Sequence, residues 1–199
     1  MAGMVTRPRR RWRSDDAYAR RKELYALAAP VFEQHGYDGA TLKALAHACG
    51  LSIPGLYRYF PSKRAFALFP LPPLYPELHG EAPDLETGDP AALLAGWVDA
   101  AVREMPGYTL AARLAFEAGL TAAEQRRMRD NLAIHAEVLG ATIERASPTL
   151  ARDVARRIAS TMIEMTAGPA ISGLARTPAD LGRDLRVLLR GYGIVLRRS

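Results

Sequence analysis

At 199 residues the chain is long enough for one generous domain or two small ones. Hydrophobic residues make up 49% and charged residues 24%, ordinary for a globular protein, and no apolar run approaches the roughly 18 residues that cross a bilayer. The single cysteine, Cys49, excludes an intrachain disulfide framework, and no apolar stretch follows Arg13 to make a secretory signal, so the expectation is a cytoplasmic protein with no membrane partner.

Net charge is +6, and it is unevenly placed. Residues 1–64 carry 12 Lys+Arg against 5 Asp+Glu, a balance of +7, while the remainder carries 15 against 16. The positive excess therefore lies in the first third, which points to a polyanion partner for that third, nucleic acid before an anionic membrane surface. A solvated basic tail is the plainer alternative.

Residues 1–14, "MAGMVTRPRRRWRS", are basic without apolar periodicity and read as a disordered arm. Helical spacing of Leu24, Leu27, Ala28, Val31 and Phe32 predicts a helix from about Asp15 to Gln34, ended by Gly36 as a left-handed C′ residue. Thr41 then caps a short helix through Ala48 that buries Leu42, Leu45 and Ala46. A tight turn at Gly50 leads to a second short helix, Ile53 to Tyr59, with Pro54 in its first turn, where the amides are free anyway. Ser62 caps a fourth helix from Lys63, which Pro70, Pro72, Pro73 and Pro76 prevent from continuing. The domains expected are thus an arm over 1–14, a helix-turn-helix domain over 15–69, a Pro-rich extended connection over 70–89 and a helical domain over 90–199.

In that last domain Asp89-Pro90 opens a helix with Leu94, Trp97, Val98, Ala101 and Met105 on one stripe, and "MPGY" is expected to break it before a shorter helix from Thr109 to Ala118. Thr121 and Glu124 make a capping box for a long helix to about Ala146. Ser147-Pro148 starts the next, with Leu150, Val154, Ile158, Met162 and Met165, and Gly168-Pro169 is expected to interrupt it. Thr177 to Asp180 caps the last, whose stripe is Leu181, Leu185, Leu188, Tyr192 and Val195. No alternating strand pattern and no repeat occurs, so the fold class expected is all-α.

The two short helices around Gly50 have the helix-turn-helix pattern, in which the first crosses the DNA backbone and the amino end of the second enters the major groove. Compact residues at that end, Ser52, Pro54 and Gly55, allow close approach to base edges. The string "VFEQHGYDGATLKALAHACGLSIPGLYRYFPSKRAF" within this region resembles the TetR family of one-component transcriptional regulators (TetR/AcrR type), with nearly every fixed position of the family pattern filled at the right spacing. The resemblance runs from about Tyr25 to Phe66; the rest of the chain resembles the family in layout only.

The resemblance implies phosphate contacts from Thr41, Tyr57, Tyr59 and Lys63, and base-edge contacts from Lys43, Ile53, Pro54, Gly55 and Arg58. The chemistry of the side chains agrees. A tyrosine hydroxyl is a short, stiff donor that fixes register on phosphates. Arg58 offers the fork that matches guanine, worth roughly 1–3 kcal/mol of discrimination. Tyr57 as a core aromatic and Arg58 as a solvated cation are the plainer readings. The resemblance further implies a homodimer through the last two long helices, a palindromic double-stranded DNA operator and a repressor released by a small-molecule effector.

For the effector, Met105, Tyr108, Phe116, Met128, His135, Met162 and Met165 are the candidate pocket residues, against the alternative that each simply fills the core. His135 shares a face with Leu132 and Leu139, which makes a satisfied core histidine its plainer reading. Histidines 35, 47, 79 and 135 are dispersed, without a metal-ligand pair at i, i+4, and no phosphate-cradling glycine loop or nucleophile elbow occurs. The expectation is therefore no enzyme, no metal and no cofactor. The alternative function is a basic protein that coats nucleic acid without sequence choice.

Overall fold

The computed structural model describes residues 11–72, 74, 84–172 and 177–196. Among them the chain forms eight helices and no strand, an all-α fold. It divides into two compact units, Met1–Ala82 and Pro83–Ser199.

The first unit holds α1 (Arg11–Gly39), α2 (Leu42–Ala48), α3 (Ile53–Tyr57) and α4 (Lys63–Ala67). Of the expected arm, residues 1–10 lie outside the described residues, while 11–14 open α1. At its other end Gly36 takes φ 65 and ψ −173, a positive φ that favours glycine. The helix breaks there, though not through the left-handed helical conformation expected, and a further turn runs to Gly39. Pro30 stands inside α1, exposed to solvent. Its missing N–H costs about 3 kcal/mol, which burial of Leu24, Tyr25 and Ala28 before it and Phe32 after it outweighs at ~1.5–3 kcal/mol per large side chain.

These helices meet on an aromatic core. Phe66 stacks on Phe60 with centroids 4.2 Å apart and takes Phe32 and Tyr25 edge-on. Phe69 joins through Phe60 and Tyr25. The chain does not become extended at Pro70. Successive turns follow, with Leu71 N–H donating to Leu68 and Leu74 N–H to Leu71, and Leu68, Phe69, Leu71 and Leu74 are all buried. Apolar residues recurring every two or three positions suit a run of turns, in which Pro70 and Pro72 forgo no helix hydrogen bond. Residues 73 and 75–83 of the expected connection lie outside the described residues.

The second unit packs α5 (Pro90–Ala118) against α6 (Ala122–Ala146), α7 (Arg152–Ser172) and α8 (Pro178–Gly191). Leu85, just ahead of α5, packs against the unit's core, and its carbonyl accepts from the Thr142 hydroxyl at 2.8 Å. The break expected at "MPGY" is absent, because α5 runs through Pro106. Pro106 is exposed, and buried side chains on both sides (Leu94, Val98 and Met105 before it, Leu110 and Leu114 after it) keep the two halves in one continuous helix. The capping box at Thr121–Glu124 and the cap at Thr177 form as expected, the latter as a second capping box with Asp180. Helix α7 starts later than expected, since Ser147 to Leu150 form a turn, and it continues through Gly168-Pro169.

The end of α8 corrects the expected stripe. Gly193 takes φ 77, its N–H donates to the Arg190 carbonyl and that of Ile194 to Leu189. This pair of bonds is a Schellman motif, which reverses the chain and brings the residue after the glycine back onto the helix. Leu189 and Ile194 are therefore buried, while Tyr192 and Val195 are 41% and 65% exposed.

Candidate nucleic-acid interface

The two short helices are joined by the same device. Gly50 takes φ 63, its N–H donates to His47 and that of Leu51 to Ala46. The turn is thus hydrogen-bonded on itself, and Leu45 and Leu56 are buried on either side of it. Cys49, at the C-cap of α2, is buried and its thiol donates to the Leu24 carbonyl at 3.3 Å. Burial pushes that thiol above the usual cysteine range, which suits a packing residue rather than a reactive one.

Each helix start is closed by a hydroxyl. Thr41 accepts from the Ala44 amide, Ser52 from Gly55 and Ser62 from Ala65, at 3.0–3.1 Å. The second of these explains Gly55. A Cβ there would stand 3.2 Å from Ser52 Oγ, so a side chain would crowd the cap. The same lack of a side chain leaves the helix end blunt. Thr41 keeps its own hydroxyl hydrogen to donate outward after accepting from Ala44.

Around this frame Thr41, Lys43, Ile53, Pro54, Tyr57 and Arg58 are exposed, and Gly55, Tyr59 and Lys63 are half-buried. Tyr57 is 43% exposed, so it is not a core aromatic. Lys43, Tyr57 and Arg58 have no side-chain hydrogen bond or ion pair among the described residues. An incoming ligand would break no intramolecular bond to engage them. Tyr59 and Lys63 are different. The Tyr59 carbonyl accepts from Arg21 Nε at 3.0 Å. Lys63 Nζ donates to the Asp38 carbonyl at 3.3 Å and lies 4.8 Å from the centroid of the Tyr37 ring.

Three residues here escape a reading of the sequence. Arg21 ties the chain just beyond α3 to α1, and a signal exists: it stands on the buried stripe of Leu24, Tyr25 and Ala28. Arg20 is raised above the ordinary arginine value, first by its hydrogen bond to Glu23 and then by one to the Tyr59 side chain, with burial acting the other way. Tyr37 holds Lys63, and no spacing rule points to that pair.

The seven candidate pocket residues differ in burial. Met105 and Met162 are buried in the core of the second unit with Met165 packed against it, and Tyr108 and Met128 are half-buried. Phe116 is 85% exposed. His135 is exposed as well, and its Nδ1 pairs with the Asn131 carbonyl one turn back at 2.8 Å, so it is neither a core histidine nor enclosed. The buried face of α6 passes through Ala136, Leu139, Gly140 and Ile143, which puts His135 past its edge. Among the described residues no group of three or more His, Cys, Asp or Glu could hold a metal ion, and no helix is long and apolar enough to cross a membrane.

Residues 24–68 match the family model described as bacterial regulatory proteins, tetR family. No curated protein matches the chain. Among solved structures the chain is similar to a TetR/AcrR-family transcriptional regulator from Thermobifida fusca, with a TM-score of 0.55 at 19% identity over 90% of this chain and 100% of that one. It is similar to the TetR-family transcriptional regulator PfmR from Thermus thermophilus, with a TM-score of 0.53 at 20% identity over 88% and 99%. A transcriptional regulator from a Rhodococcus species gives 0.52 at 20% over 86% and 95%.

Proposed function

We propose that this chain, whose residues 24–68 match the tetR family of bacterial regulatory proteins and whose fold is that of TetR/AcrR-type regulators, is a sequence-specific DNA-binding transcriptional regulator acting as a repressor. The observation that carries the reading is the rigid, self-capped turn between α2 and α3. It presents Lys43, Tyr57 and Arg58, unpaired among the described residues, beside the bare tip of Pro54 and Gly55. The base-reading set is Lys43, Ile53, Pro54, Gly55 and Arg58, with Ile53, 37% exposed, suited to a thymine methyl. The phosphate set is Thr41, Tyr57, Tyr59 and Lys63, whose hydroxyls and ammonium fix register without reading sequence.

One such head makes few contacts, so the reading includes a homodimer formed through α7 and α8 that spans two half-sites of a palindrome. The effector site is assigned to the second unit beside Met105, Met162 and Met165, flexible side chains that repack around a small apolar molecule. Selection of bound sequences from a random duplex pool tests the sequence-specific DNA-binding part of the reading. A short motif with two-fold symmetry is expected, and recovery without sequence preference would favour the non-specific coat instead. A monomeric mass at micromolar concentration would remove the dimer.

A further inference from the structure

Lys63 is not a free chain at the start of α4. Its ammonium is held on two sides, by the Asp38 carbonyl at 3.3 Å and by the face of the Tyr37 ring at 4.8 Å. Both partners lie in the segment between Gly36 and Thr41. Gly36, at φ 65 and ψ −173, turns the chain out of α1, and the Ala40 N–H donates back to the Gly36 carbonyl. That segment runs directly into Thr41, the cap of α2. Two of the proposed phosphate ligands, far apart in sequence, are therefore joined through one short turn.

An unrestrained lysine loses rotamer freedom when it grips a phosphate, because its four-carbon stem is flexible and its ammonium is a point charge. A ring face within about 6 Å attracts that ammonium electrostatically. With one N–H given to Asp38 and one side resting on the ring, donor capacity remains for a phosphate oxygen. The ordering cost is then met within the free protein rather than on binding.

We propose that Tyr37 is a positioning residue for DNA binding, its ring and the Asp38 carbonyl pre-ordering Lys63 for the phosphate backbone. The inference rests on the reading of this unit as a DNA-binding head. It separates Tyr37 from the side chains that touch DNA: Tyr37 adds no charge, so it acts on affinity and not on counterion release.

The test is a salt titration of binding to the duplex recovered by selection, read as log affinity against log salt. Lys63→Ala should flatten the slope by about 0.9 per subunit, because one neutralised phosphate is lost. Tyr37→Leu should weaken binding about 2–5-fold per subunit at an unchanged slope, the size of an exposed cation–π contact, and Tyr37→Phe should restore it. On a Lys63→Ala background Tyr37→Leu should have no further effect. Phenylalanines of increasing fluorine content at position 37 keep the ring's shape while weakening its face, and they should lower affinity in step, so the result does not depend on Tyr37→Leu folding. An equal loss on both backgrounds, or indifference to fluorination, would make Tyr37 a packing residue only. If Lys63→Ala changes neither slope nor affinity, the DNA-binding role of Lys63 fails first, and that outcome is distinct from a Lys63 that matters beside a Tyr37 that does not.

Discussion

Replacing Arg58 by alanine isolates sequence reading from everything else this head does. Arg58 is the C-cap of α3, and its backbone N–H donates to Leu56 whatever the side chain. The side chain is exposed and has no hydrogen bond or ion pair among the described residues, so stability should change by no more than about 0.5 kcal/mol. A forked contact to guanine is worth roughly 1–3 kcal/mol. Two half-sites double it to about 2–6 kcal/mol, a loss of roughly 30-fold to 20,000-fold on the selected operator. Fluorescence anisotropy on that operator, and on a panel with each base pair changed in turn, reads the distribution of the loss. The variant should bind all four bases alike at one position per half-site and keep its discrimination elsewhere. Arg58→Lys should retain general affinity yet share the loss of choice, since an ammonium lacks the fork. A loss by the same factor on every duplex would refute base reading and make Arg58 a phosphate contact.

The other predictions concern the frame. Gly140→Val should destabilise the second unit by about 1–3 kcal/mol, because a Cβ at Gly140 already stands 3.2 Å from the Arg156 Cα across the α6–α7 crossing; thermal unfolding without a lower midpoint would show that the crossing yields. Phe66→Ala removes a fully buried ring that touches three others and should cost about 3–5 kcal/mol, read as faster proteolysis within residues 24–68. Asp180 is held below the ordinary aspartate value, first by the Thr177 hydroxyl and then by its backbone N–H. Its support for α8 is therefore present above the ordinary value of about 4 and lost as pH falls through the lower folded one. Corrected for the intrinsic pH dependence of exchange, protection of the Thr177 amide, which donates to the Asp180 carboxylate, should fall over that acid window, and Asp180→Asn should abolish the change.

How much of this is legible in the sequence depends on the range of the interaction. Caps and boxes are local, and Thr41, Ser62, Thr121 and Thr177 stand where short-range rules put them. Prolines mislead for a different reason. The rule that proline breaks a helix counts one lost hydrogen bond, and it holds when nothing else fixes the flanks. Pro106 has buried side chains of α5 on either side that pack in a unit where α5 meets three other helices, and that packing is tertiary information that no window around "MPGY" contains. The C-terminal turn of α8 is readable in principle. Gly191-Tyr192-Gly193 marks a possible reversal, and the one-residue shift from Val195 to Ile194 follows once Gly193 takes positive φ.

The candidate interface divides along the same line. Exposure of Lys43 and Arg58 follows from burial of Leu45 and Leu56 two positions away on the opposite faces of two short helices, whereas Tyr57, next to Leu56, is left open by periodicity and is placed outside by the structure. The second layer does not follow from periodicity. Arg21 reaches Tyr59 across 38 residues, and the Asp38 carbonyl meets Lys63 across 25, through a turn whose direction depends on the two dihedral angles of Gly36. Any residue with a Cβ at position 36 would disfavour that φ of 65, and a changed turn would move Tyr37, Asp38 and the cap at Thr41 together. Gly36→Ala should therefore weaken DNA binding more than its distance from the tip suggests, while Phe66 and the aromatic core stay in place. Near-normal operator affinity in a folded Gly36→Ala protein would show that the turn orders nothing the DNA needs.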